Sequence, residues 1–143
     1  MDTAPIVEVR VSQRFDAPPE RVFDAWLDPA IAGAWLFATA TRRAVHVEID
    51  ARVGGSFLFR ESHRVAHVGK YLEIAPPRRL AFTLAAERGA RDESRVSVEI
   101  VERDAGCELT LTHQNVPRGE VSRTEGRWIG MLYGLGTRLV AES

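Results

Sequence analysis

A chain of 143 residues, 45% hydrophobic and 27% charged, is long enough to bury a core and predicts one soluble domain over residues 1–143. Its 19 Lys+Arg nearly balance 20 Asp+Glu, which argues against a nucleic-acid surface or a polybasic membrane face, and its first residues, MDTAPIVEVRV, lack a signal-peptide pattern. No window approaches the ~20 apolar residues of a membrane span, and the single cysteine, Cys107, reads as a small buried hydrophobe in a reducing cytoplasm.

Residues 6 to 15, IVEVRVSQRF, alternate apolar and polar and predict a half-buried strand. In DAPPERVFDAWLDP the period changes to that of a helix, with Asp16 as the expected N-cap, Pro18 and Pro19 in or near the first turn, and Val22, Phe23 and Trp26 at helical spacing. Asp28-Pro29 ends it, because a residue before proline is pushed out of the α region. A second short helix, AIAGAWL, follows and ends near Trp35.

From about Val45 to His113 the segments VHVEID, GSFLFRES, VAHVGKYLEI, RLAFTLA, SRVSVEIVE and CELTLTH read as strands of an antiparallel meander. Pro76-Pro77 forbids continued pairing in one of its turns, and AERGARDE is a polar hairpin loop. The adjacent glycines of DARVGGSFLFRE predict a tight turn into a bent strand in which Phe57 and Phe59 point to the concave face and Leu58 and Arg60 away from it. Neither Lys-Ser/Thr nor a helix follows them, so they do not read as a phosphate loop. Between Gly119 and Ser143, Trp128, Met131, Leu132, Leu135 and Leu139 form one apolar stripe, so a long helix is expected to lie across the sheet.

This order of elements, with APPERVFDAWLDP at 17 to 29, DARVGGSF at 50 to 57, GKYLEIAPPRRLAFT at 69 to 83, ELTLTH at 108 to 113 and the GRW and Leu135 positions of the last helix, resembles the START-like helix-grip superfamily. Within it, the chain resembles the family named after the Hsp90 ATPase activator homologue. The resemblance implies an α+β fold in which a curved antiparallel sheet of about six to seven strands grips a C-terminal helix, with a cavity between them that admits small apolar molecules.

The expected function is therefore binding of a small hydrophobic molecule in that cavity. Trp35, Phe57, Phe59, Tyr71, Phe82, Leu111, His113, Trp128 and Leu132 are the expected lining, with His113 and Tyr71 as orienting polar groups. Trp26 is a further candidate for the wall, or for core packing at helical spacing. His113 shares strand parity with Leu109 and Leu111 and faces inward, either as a core histidine satisfied by its surroundings or as a ligand contact or general base. Glu61, in phase with Phe57 and Phe59, either faces the cavity with a polar partner or has reached solvent.

Two alternatives stand beside the container. One is a polyketide cyclase- or dehydratase-like enzyme using His113, with Glu61 or Tyr71 assisting. The other is a chaperone-interacting module; the eukaryotic activator behind the family name carries an additional N-terminal domain for which this chain has no room. No nucleophile-base motif surrounds Ser56, Ser94 or Ser97, His63 and His67 lack a third metal ligand, and no cofactor or metal is expected. Gly126, Gly130 and Gly134 recur every four residues, and close approach to the sheet, a widened pocket or a homodimer contact would each account for them.

Overall fold

The computed structural model describes residues 6–38, 44, 46–61, 66–86 and 93–141. The strands are β1 (Ile6–Phe15), β2 (His46–Ile49), β3 (Ser56–Arg60), β4 (His67–Ala75), β5 (Arg79–Ala86), β6 (Ser94–Arg103) and β7 (Gly106–Pro117). Helices α1 (Pro19–Leu27) and α2 (Pro29–Trp35) follow β1, and a single 3-10 turn (Arg118–Glu120) leads into the long α3 (Val121–Ala141). The strands form one antiparallel sheet in the order β1-β7-β6-β5-β4-β3-β2. The meander is thus completed by β1 pairing with the last strand, from Val9 opposite His113 to Phe15 opposite Cys107. The result is the α+β helix-grip fold.

Local chemistry accounts for most boundaries. Pro18, not Asp16, occupies the N-cap of α1, and it makes no side-chain cap bond. Asp16 instead pairs with Arg14 at 3.4 Å on the surface. Asp28 ends α1 and caps α2 in one residue, because its extended backbone breaks the first helix while its Oδ1 accepts the Ala30 N–H at 3.0 Å. At the Gly-Gly turn, Gly54 sits at φ 88°, and a Cβ on Gly55 would collide with the Asp50 carbonyl oxygen. The turn is tied to β4 on both sides, by Tyr71 N–H to Gly55 O and Gly54 N–H to Tyr71 O, each 2.9 Å.

β7 does not end at His113 but continues to Pro117. The pairing with β1 slips between Val7 and Val9, and the extra residue is absorbed where Asn115 adopts φ 66°. Cys107 is buried in this strand as a free thiol.

The inward sides of the strands and the apolar stripe of α3 form one core, with Val96, Leu109, Leu111, Leu132 and Leu135 fully enclosed. Burying each such side chain is worth roughly 1.5–3 kcal/mol. Arg21 Nη2 donates to the Leu139 carbonyl at 2.8 Å, locking α1 to the end of α3. Gly126, Gly130 and Gly134 lie away from all of this: a Cβ at any of them would meet nothing within 4 Å, so close approach to the sheet does not explain them. Among the described residues no helix is long and apolar enough to cross a membrane.

Candidate functional site

The space between the sheet and α3 is filled by an aromatic cluster. Phe57 and Phe59 project inward from β3, as their parity requires, and are 4% and 2% exposed. Tyr71 from β4 and Phe82 from β5 face them across the sheet, with the Phe57 and Phe82 rings edge-on at 5.3 Å. Gly69 makes this packing possible, because a Cβ there would overlap the Thr83 carbonyl oxygen and reach 2.6 Å from the Phe57 ring. From the other side come Trp26 of α1, Trp35 of α2 and Trp128 of α3, with Trp26 and Trp35 edge-to-face at 4.7 Å and Trp26 and Trp128 tilted at 6.2 Å.

Among the described residues, the pocket inside this cluster holds about 10 Å³ of free space and is lined by Trp26, Leu36, Phe57, Phe59, Tyr71, Leu80 and Phe82. That is room for about one water molecule. Of the expected lining, Phe57, Phe59, Tyr71 and Phe82 border this cavity, whereas Trp35, Leu111, His113, Trp128 and Leu132 are buried in the surrounding core. Trp26 borders it, and Leu36 and Leu80 join it.

What closes the cluster is Phe37, which sequence reasoning missed. It follows α2 with φ 59°, a left-handed conformation that is an outlier for a bulky side chain. Its ring lies 5.2 Å from Phe59, 6.3 Å from Phe57 and 6.1 Å from Trp128, and stacks flat on His67 at 4.5 Å. Its backbone N–H points to Met131 Sδ at 3.0 Å, which anchors the turn to α3. The apolar pair Leu36-Phe37 just beyond a helix end was the available signal; the left-handed backbone had none, since it is imposed by packing.

His113 sits at the other end of the cluster, 8% exposed, in a strand flanked on both sides. Trp128 Nε1 donates to its Nδ1 at 3.0 Å, and its Nε2 lies 2.7 Å from Ser94 Oγ. An indole N–H can only donate, so Nδ1 must be the acceptor and Nε2 must carry the proton. His113 therefore donates to Ser94, whose hydroxyl donates onward to the Leu84 carbonyl at 3.2 Å. Both ring nitrogens are spent, and the tautomer is the opposite of the one a serine nucleophile would need from its base. Burial pushes the His113 pKa down to about 4, which keeps the ring neutral. Ser94 was legible in principle, being in phase with the inward Val96, Val98 and Ile100.

The remaining candidates are Glu61, His67 and Tyr71. Glu61 is half-buried just beyond β3. Burial, helped by Arg127, lowers the His67 pKa, and Glu61 opposes that shift. Burial, helped by Asp50, raises the Tyr71 hydroxyl far above its ordinary value, so it remains a neutral donor. His63 lies outside the described residues. Among the described residues no group of three or more His, Cys, Asp or Glu side chains could hold a metal ion.

A helix-grip whose interior is an aromatic cluster between sheet and C-terminal helix defines the class, and the comparisons assign the family. The chain belongs to the family described as "Activator of Hsp90 ATPase homolog 1-like protein", which matches residues 16–139. It is similar to protein CV1439 from Chromobacterium violaceum, with 26% identity, 92% of this chain and 96% of that chain covered, and TM-score 0.83. It is similar also to CalU16 from Micromonospora echinospora, with 26% identity, coverage of 95% and 80%, and TM-score 0.73. The fold is shared by PFC0360w, an HSP90 activator from Plasmodium falciparum, with 23% identity, coverage of 93% and 96%, and TM-score 0.76. No curated protein matches the sequence.

Proposed function

We propose that this chain binds a small hydrophobic molecule between its curved sheet and α3, and that Phe37 is the side chain that makes way for it. The observation that carries the reading is the position of Phe37: a strained, bulky residue at the end of a helix fills the place where the aromatic walls converge. Strained backbone concentrates at ligand clamps and switches, where an alternative conformation lies close in energy. With the ring withdrawn, the surrounding Phe57, Phe59 and Trp128 would present an apolar pocket of the kind small molecules occupy. The test is native mass spectrometry of the purified protein together with a thermal-shift screen of aromatic and aliphatic compounds. A saturable rise in Tm following mass action is expected; a flat panel with no co-purified species would remove the reading.

A second reading, contact with a chaperone, rests on the outer face of α3. Ile129, Tyr133 and Val140 are 49%, 69% and 65% exposed there, beside the open Gly126, Gly130 and Gly134. Within 128–137 the exposed residues of this helix, Ile129, Gly130, Tyr133 and Thr137, carry no charge, which is unusual for a face turned to water. The family description and the Plasmodium protein both point to Hsp90. Calorimetric titration with a purified Hsp90-type chaperone should show saturable binding that Tyr133→Glu abolishes; no heat with the wild type would discard this reading. The cyclase-like alternative needs a free nitrogen on His113, and the Trp128 and Ser94 bonds oppose it.

A further inference from the structure

Three indole N–H groups enter the interior, and the structure treats them differently. Trp35 Nε1 donates to the Ala25 carbonyl at 3.0 Å and Trp128 Nε1 donates to His113 at 3.0 Å. Trp26 Nε1 is buried with no partner, the one side-chain nitrogen or oxygen among the described residues in that state. Trp26 is 1% exposed and borders the small cavity, whose only other polar side chain is Tyr71. An unmade bond at a buried donor is destabilising, and phenylalanine at this position would fill much the same space without it. A lone water is a poor remedy, since a buried water normally takes about three hydrogen bonds. Aromatic walls with one or two convergent polar groups are instead the ordinary composition of a small-molecule site.

Resting on the binding reading above, we propose that Trp26 Nε1 is the polar anchor of the site. Its ligand is then a compact aromatic molecule bearing a hydrogen-bond acceptor such as a carbonyl. The size follows from what can be vacated: the Phe37 ring lies against Phe57 and Phe59, which also line the existing space of about 10 Å³, and the two together accommodate about one ring, as a dry cavity of ~150 Å³ in another protein holds benzene. The acceptor follows from the orphaned donor.

The probes are acetophenone and ethylbenzene, which share a shape and differ by a carbonyl. They are titrated into wild type, Phe37→Gly, and Phe37→Gly combined with Trp26→Phe. Glycine is chosen because it tolerates the left-handed backbone at position 37. In Phe37→Gly, acetophenone is expected to bind about tenfold more tightly than ethylbenzene, roughly the worth of one neutral hydrogen bond. The Trp26 indole N–H resonance should move downfield with acetophenone alone, and the preference should collapse in the double variant. Equal affinity for the two probes, or a preference that survives Trp26→Phe, overturns the anchor while leaving an apolar container. Failure of both probes to bind a folded Phe37→Gly protein overturns the container itself. If that variant does not fold, the indole resonance of wild type at saturating acetophenone decides: an unmoved Trp26 signal rejects the proposal.

Discussion

Trp128, on the last helix, donates its indole N–H to Nδ1 of His113, on the last strand, at 3.0 Å, and this bond sets which nitrogen of the imidazole holds the proton. The chain of donors runs from Trp128 through His113 and Ser94 to the Leu84 carbonyl, so every member is satisfied. The relay ties α3 to three neighbouring strands of the sheet that it crosses.

Trp128→Phe should remove the donor while keeping an aromatic ring. A buried nitrogen left without its partner costs about 1–3 kcal/mol, so the urea midpoint should fall correspondingly. The imidazole should also titrate at a higher pH, since the bond to its neutral form is gone. Nitrogen chemical shifts of the His113 ring against pH would check this, and an unchanged titration would mean that the bond does not hold the tautomer.

Stability should decline as the pH falls from about 6.5 toward 4. The His113 pKa is lowered to about 4 in the fold from 6.5, so the unfolded chain binds the proton first, and the stabilisation present above 6.5 is lost across that window. The loss from this group is about 3 kcal/mol. His67, also lowered by burial, adds a loss of the same sign. Denaturation midpoints at pH 7.5 and pH 5 measure the effect, and His113→Gln, which retains a donor and an acceptor without titrating, should flatten most of it.

Glycines that look alike in sequence should respond in opposite directions. Gly69→Ala would drive a methyl into the Thr83 carbonyl and the Phe57 ring, and should destabilise by about 3 kcal/mol or more. Gly130→Ala meets open space in the middle of α3 and should stabilise by about 1 kcal/mol through helix propensity. Thermal unfolding of the two variants gives the comparison. A stabilised Gly69→Ala would mean that β4 does not pack as described.

Asp28→Ala should cost about 1 kcal/mol, because one side chain caps α2 at the break between two helices. Asp28→Asn, which keeps an acceptor oxygen, should recover most of that loss. If both variants lose the same amount, the oxygen is not acting as the cap.

Much of the architecture was legible because its signals are local. Alternation placed Phe57 and Phe59 inward, and the stripe from Trp128 to Leu139 identified the buried face of α3. Pro29 marked the break after α1, and the Gly54-Gly55 turn could be read from the absence of side chains. The site was less legible. Parity placed His113 inside but could not reveal that Trp128 and Ser94 occupy both its nitrogens. Asp16 had the right residue type for a cap, but Pro18 stands at the position where the helix begins. Phe37 follows a helix without any periodic context, so the apolar pair Leu36-Phe37 could signal burial but not a ring lodged among Phe57, Phe59, His67 and Trp128.

By itself the sequence determined the elements, their order, and which face of each is apolar, because period and turn chemistry act over a few neighbouring residues. Only the tertiary structure decided that β1 pairs with β7, that the aromatic layer closes to a water-sized space, and that Trp26 alone of the three tryptophans lacks an acceptor. Each of those outcomes depends on atoms brought together from distant parts of the chain, where packing and hydrogen-bond geometry decide which contacts form and local propensity has no say.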